Sequence, residues 1–428
     1  MAVLLTVALV SVAQGAERSR ERTASADEGG GPRPGGHWVG TWAAMPQLTE
    51  PGNMPPPPYT EGGAVLADST LRQTVHVSAG GRHLRLRFSN AFGGAPLDIT
   101  RVFVARPEGG RAGVSAVQPG TSRPVTFDGR PSTTVPTGAL VVSDPLDFPL
   151  PAGSNLTVTM YLATGQRSTA ITSHPGSRTA SHMLRGDHAD ATDLDGAASV
   201  EHWYFVSGVE VWSPARTRAT AVLGDSLTDG RGSTSNHNDR WTDRLTDRLR
   251  ADPRTAGTAV LNQAAGGNRV LQDGLGPNGL ARLDRDVLAQ SGVTSLIVFE
   301  GVNDIGTAPA TPEAQRDVAD RLIAAYGQII LRAHAQGIRV YGATLTPFGG
   351  STPYDDAAGH RETARQRVND WIRTGGRFDA VVDLDKATRD QADPSRLRPD
   401  LDVGDHLHLD PEGYRVIADA FPRRLFRR

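Results

Sequence analysis

The chain contains no cysteine. Disulfides, cysteine–zinc sites and thiol nucleophiles are therefore excluded, and stability has to come from a packed core. Lysine is almost absent: Lys386 is the only one, and all other basic residues are arginine. Neither sign of charge is in excess, since 45 basic and 47 acidic residues leave a formal net charge of −2. A nucleic-acid binder would need a basic face, and a protein drawn to acidic lipid would need a polybasic segment, so neither partner is expected. Aromatic residues make up only 6%. No apolar run is long enough to span a bilayer comfortably, so no stable membrane insertion is expected.

What is present is enough chain for two domains, 428 residues. The first sixteen residues, MAVLLTVALVSVAQGA, are a short apolar run ending in small residues. They read as a signal peptide (1–16) with its cleavage region near Ala13 to Ala16, and so predict a secreted protein. Residues 17–36 are polar, charged and rich in glycine, a composition too poor in apolar surface to order itself, and they read as a flexible linker.

Residues 37–216 carry period-two patterns. In LRQTVHVSAGGRHLRLRFSN two alternating runs flank Ala79-Gly80-Gly81, which predicts a hairpin. Leu84, Leu86 and Phe88 fall on one face of its second run and Arg85 and Arg87 on the other. Leu156, Val158, Met160 and Leu162 alternate in the same way, and HWYFVSGVEVW is a further strand candidate. Short strands punctuated by Pro and Gly predict an all-β sandwich or jelly-roll accessory domain.

From 217 to 428 the period changes. ATAVLGDS, TAVLNQA, TSLIVFEG, RVYGATLTP and AVVDLD are apolar runs separated by helical stretches. One helix candidate covers 239–250. A long one starts with Thr311 as cap and Pro312 in its first turn and stops at Gly337, with Val318, Leu322, Ile329 and Ala333 on its apolar stripe. Strand alternating with helix predicts an α/β domain on a parallel sheet.

Ligands of such sheets bind beyond the carboxyl ends of the strands. Ser226 falls there after the first strand, Gly266 and Gly267 after the second, and Asn303 after the third. Asp405 and His408 lie in a late loop, three residues apart, so one turn can present both. Ester cleavage needs that set. A serine hydroxyl attacks well only when a base takes its proton, and histidine is the usual base near neutral pH. A carboxylate fixes the imidazole tautomer. Amide donors hold the oxyanion, each worth about 2.7–4 kcal/mol. Taken singly, Ser226 reads equally as a helix cap, Asn303-Asp304 as a turn pair, and Asp410-Pro411 as the start of a helix. There is no Gly-Lys-Ser/Thr phosphate loop, no G-x-S-x-G elbow and no H-E-x-x-H metal motif.

Four stretches in order, Gly224-Asp225-Ser226-Leu227, Gly267 within GGNR, Gly301-Val302-Asn303-Asp304 and Asp405-His406-Leu407-His408, resemble the four blocks of the SGNH, or GDSL, hydrolases. The likeness spans about residues 217–428. It implies a flavodoxin-like three-layer α/β/α domain, with Ser226 as nucleophile, His408 as base and Asp405 orienting it. It implies an oxyanion hole from the N–H groups of Ser226 and Gly267 and the side chain of Asn303. Asp225 would be structural, and no cofactor or metal would be needed. Either Gly266 or Gly267 could donate; Gly267 is the expected one.

The expected activity is hydrolysis of short-chain, chiefly acetyl, carboxylic esters, small or on glycans, through an acyl-enzyme. No apolar insertion resembles a lipase lid, which sets lipid esters second. A third reading makes the β domain a polysaccharide-binding module, with Trp38, Trp42, Tyr59 and Trp203 as stacking rings; core packing is the commoner fate of such rings. The loops 268–280 and 346–360 are expected to line the pocket. Other histidines, His202 among them, read as structural or surface residues.

Overall fold

The computed structural model describes residues 35–352 and 354–427. The expected signal peptide and all of the expected linker except Gly35 and Gly36 lie outside them. Gly36 already opens the first strand, Gly36–Ala43.

The C-terminal half is built on five parallel strands: β1 (Arg218–Gly224), β2 (Thr258–Ala264), β3 (Val293–Phe299), β4 (Arg339–Ala343) and β5 (Ala380–Val382). Their order across the sheet is β2-β1-β3-β4-β5. β1 is buried along almost its whole length, as a strand covered on both faces must be. The helices follow from local chemistry. α1 is a single turn, Ser226–Asp229, capped by Asp225 and stopped by Gly230 at φ +97°. α2 spans Trp241–Arg250. α3, Pro312–Ala335, begins where Thr311 accepts from the Ala314 N–H, and it buries Val318, Leu322, Ile329 and Ala333. α4 is His360–Thr374. α5, Pro411–Ala420, is capped by Asp410. α2 packs on α5 and α3 on α4.

Register sets the position of the site. Gly224 pairs with Ala264 on one side and Phe299 on the other. Three strands thus end level, and the loops carrying Ser226, Gly267 and Asn303 leave from one rim.

The N-terminal half is antiparallel. One sheet contains Gly36–Ala43, Val206–Pro214, Gly81–Ser89 and Leu146–Leu150, and a second is built around Ser69–His76 and Asn155–Leu162. Leu84, Leu86, Phe88, Leu156, Val158, Met160 and Leu162 are all fully buried. Arg87 pairs with Glu210 at 3.1 Å, and Arg85 pairs with the same carboxylate.

The hairpin expected around Ala79-Gly80-Gly81 does not form. Ser69–His76 pairs with Asn155–Leu162, whereas Gly81–Ser89 pairs with Val206–Pro214 in the other sheet. The chain crosses between sheets at Gly80, where an added Cβ would lie 2.7 Å from the Leu150 carbonyl oxygen. Alternation reports which face a residue takes, not which strand it pairs with.

The two halves share buried surface. Ala219, Ala259 and Leu261 of the parallel sheet belong to the same apolar cluster as the β half. Gly40 N–H donates to the Ser291 carbonyl at 2.9 Å, and Val260 N–H donates to Ser78 Oγ at 3.1 Å. Trp42, Tyr59 and Trp203 are 4–7% exposed. Trp38 lies under the Arg85 guanidinium at 4.4 Å and against Trp212. These rings are packing elements, not a free stacking platform. Among the described residues no helix is long and apolar enough to cross a membrane.

Candidate active site

Ser226 opens α1 directly after β1, so its N–H has no partner within the helix. The turn is tight because Asp225 accepts from the Leu227 N–H at 3.0 Å and also from the Gly301 N–H. Burial pushes the Asp225 carboxyl up to about 7 despite those two donors. Gly224 has no room for a side chain: a Cβ there would lie 2.7 Å from Thr228 Oγ1.

Ser226 Oγ lies 2.8 Å from His408 Nε2, and both residues are buried. His408 Nδ1 lies 2.7 Å from Asp405 Oδ2. The other oxygen of Asp405 accepts from the His408 and Leu407 backbone N–H groups at 2.8 and 3.1 Å. The three-residue spacing therefore closes a small loop that locks ring and carboxylate together. Burial pushes the Asp405 carboxyl up, but the His408 and Leu407 donors outweigh it, so it ends below the ordinary value. Burial pushes the His408 imidazole down, Asp405 pulls it back, and Arg231 and Arg178 push it down again, leaving it below 6.5.

Two glycines stand beside the serine. Gly266 N–H donates to Asp229 Oδ2 at 3.0 Å and is committed. Gly267 sits at φ +71°, and a Cβ on it would lie 2.5 Å from Leu275. Among the described residues its N–H has no acceptor, and Gly267 borders the cleft. The Asn303 amide donates one hydrogen to the Asn268 carbonyl at 2.8 Å and has a second to offer. The loop between them is held by Asp304, which accepts from the Val270 and Leu271 N–H groups at 2.8 and 2.9 Å. Burial raises the Asp304 carboxyl to about 6. Below it, burial raises Glu300 to about 8, with Arg282 as its nearest cation.

Ser226, His408, Asp405, Gly267 and Asn303 thus line one cleft of about 680 Å³. Leu275 from the loop 268–280 and Ser351, Thr352 and Tyr354 from the loop 346–360 line it as well. The sequence reading missed three contributions. Tyr354 donates to Asn303 Oδ1 at 2.7 Å. The β half supplies a wall that includes Gln47, Asn53, Arg178, Glu201 and His202. His174, also from the β half, lies 2.9 Å from Asp229. The Asp in GDSLTDG was visible, but no local pattern links it to a histidine 55 residues earlier.

Residues 222–416 match the GDSL-like lipase/acylhydrolase family. No curated protein matches the chain. Similar solved structures include a catalytic mutant of an acetylxylan esterase from Geobacillus stearothermophilus (21% identity, 49% of this chain and 96% of that one, TM-score 0.37). A carbohydrate acetylesterase from Sinorhizobium meliloti matches at 18% identity over 48% and 96%, TM-score 0.36. A GDSL-like lipase from Bacteroides thetaiotaomicron matches at 16% over 47% and 85%, TM-score 0.34. Residues 222–416, just under half of the chain, thus form a GDSL-like lipase/acylhydrolase domain, a match that supports a carboxylic-ester hydrolase of the SGNH/GDSL type.

Proposed function

We propose that the protein is an exported serine esterase that removes short acyl groups, acetyl foremost, from polyhydroxylated alcohols such as carbohydrates. The observation that carries the chemistry is the unbroken run Ser226 Oγ to His408 Nε2 (2.8 Å), then His408 Nδ1 to Asp405 (2.7 Å), beside the donors of Ser226, Gly267 and Asn303. His408 takes the hydroxyl proton as Ser226 Oγ bonds to the ester carbon. The oxyanion is received by the N–H groups of Ser226 and Gly267 and by Asn303 Nδ2. His408 then gives the proton to the departing alcohol. Water, deprotonated by His408, attacks the acyl-enzyme, releases the acid and restores Ser226.

The walls support a polar leaving group. Among the described residues the apolar side chains on them are few, Pro175, Leu275 and Leu407, and the β half adds amide, guanidinium, carboxylate and imidazole groups. His202 Nδ1 lies 2.8 Å from the Pro175 carbonyl, which orients the ring within this wall. The apolar segment at 1–16 supports export. The test is turnover of p-nitrophenyl esters from C2 to C12, of acetylated xylo-oligosaccharides and of a phospholipid, with Ser226→Ala as control. Preference for C2 and for the acetylated sugars is expected. A maximum at long chains would turn the reading to a lipase, and undiminished turnover by Ser226→Ala would end it.

A further inference from the structure

The Gly266 N–H is gripped by a carboxylate, and that carboxylate stands in the catalytic cleft. A bare negative charge there would oppose the oxyanion that forms nearby. What meets it is His174, at the end of the strand Thr172–His174 in the β half. His174 and Asp229 are both buried, 4% and 2% exposed.

The hydrogen bonds fix how the ring faces the carboxylate. His174 Nδ1 lies 3.0 Å from the Met45 carbonyl oxygen, which can only accept. Its Nε2 lies 2.9 Å from Asp229 Oδ1. A proton shared between Nε2 and Oδ1 offsets the charge of the carboxylate.

The packing gives the pair one position. His174 stacks on Trp203 with ring centres 5.7 Å apart. A Cβ on Gly176 would fall 1.8 Å from Asp229 Oδ2. Arg240 Nε donates to the Asp229 carbonyl at 2.9 Å, and the same guanidinium donates to the Ser177 carbonyl, so one side chain ties α1 to the β half.

We infer that His174 is a positioning residue for ester hydrolysis. From the β half it pairs with Asp229, the acceptor of the Gly266 amide, which sets the neighbouring Gly267 N–H in the oxyanion site and keeps uncompensated charge out of it. The inference rests on the serine-esterase reading above. His174 touches no substrate; it acts through Asp229 and the 265–267 backbone.

The test is kcat and KM of the full chain for p-nitrophenyl acetate, per Ser226 titrated with a phosphonate. His174→Gln leaves Asp229 bare and is expected to lose roughly ten- to a hundredfold in kcat with little change in KM. Asp229→Asn keeps an oxygen for the Gly266 N–H without the charge and is expected to lose less. Adding Asp229→Asn to His174→Gln is expected to restore part of the loss, which a purely structural histidine would not allow. Wild-type kcat in His174→Gln, or a double variant no better than that single one, would overturn the inference. If the Ser226→Ala control keeps its turnover, the esterase reading fails first. If that control is dead and His174→Gln is silent, only the role of His174 fails.

Discussion

The hydroxyl of Tyr354 donates to Oδ1 of Asn303 across 2.7 Å, while Asn303 Nδ2 donates to the Asn268 carbonyl across 2.8 Å. The two bonds fix which end of the amide faces the cleft. The Tyr354 ring lies against Gly306, where a Cβ would fall 1.3 Å from it. Tyr354→Phe keeps the ring and removes one net bond, worth about 1 kcal/mol. Its kcat is expected to fall about fivefold, with Tm nearly unchanged. Steady-state kinetics beside a thermal melt checks this.

Removing the reacting groups should give a graded series. Ser226→Ala is expected to lose roughly a million-fold in kcat. Asp405→Asn leaves the loop intact but unsettles the tautomer, at a cost on the order of 10⁴. Asn303→Ala deletes one oxyanion donor, at a cost on the order of 10²–10³. KM should move far less than kcat in all three. A series dominated by KM would place these groups in binding instead.

His408 must be neutral to accept the serine proton, so kcat/KM rises with pH through its pKa. Burial holds that pKa below 6.5, with Arg231 and Arg178 adding to the downward push. The acid limb should therefore have its midpoint below 6.5. Arg231→Gln removes a positive neighbour, makes the protonated ring less costly and should move the limb to higher pH. A pH–rate profile of both proteins reads the sign directly.

The buried acids below the site predict how stability depends on pH. Burial raises Asp304 to about 6, Asp225 to about 7 and Glu300 to about 8. Each folded-state value exceeds the unfolded one, so the native state keeps protons that the unfolded chain releases above pH ~4. Their stabilising contribution is complete below that pH and drains away as pH rises through about 6 to 8. Glu300→Gln removes the group with the highest value, and one of whose oxygens has no hydrogen-bond partner. The variant should lose less stability than wild type between pH 5 and 9, by at least about 1 kcal/mol. Urea melts across that range measure it.

The parallel sheet was legible because its strands are buried on both faces and read as unbroken apolar runs, TSLIVFEG above all. Thr311, Pro312 and Asp410 announced their helices because capping chemistry is local. The positions of Ser226, Gly267 and Asn303 followed from strand ends, since one rim of a parallel sheet collects its loops. Partnerships formed at long range were not legible. The crossing at Gly80 looked like a hairpin turn because both solutions need glycine and alternation. His174 carried no signal at all: its partner is chosen by the docking of two halves, which no window of sequence contains. Trp42 and Trp203 pack edge to face at 4.9 Å in that same region, a use that composition alone does not separate from a display surface.

The bond from Arg240 to the Ser177 carbonyl, across the seam between the halves, has a practical meaning. An engineer who trimmed this chain to its hydrolase portion would be sawing through one side of the reaction vessel. Conversely, exchanging the leading portion for a foreign one would replace part of the cleft wall and the partner of Asp229 together, because both lie on the same border.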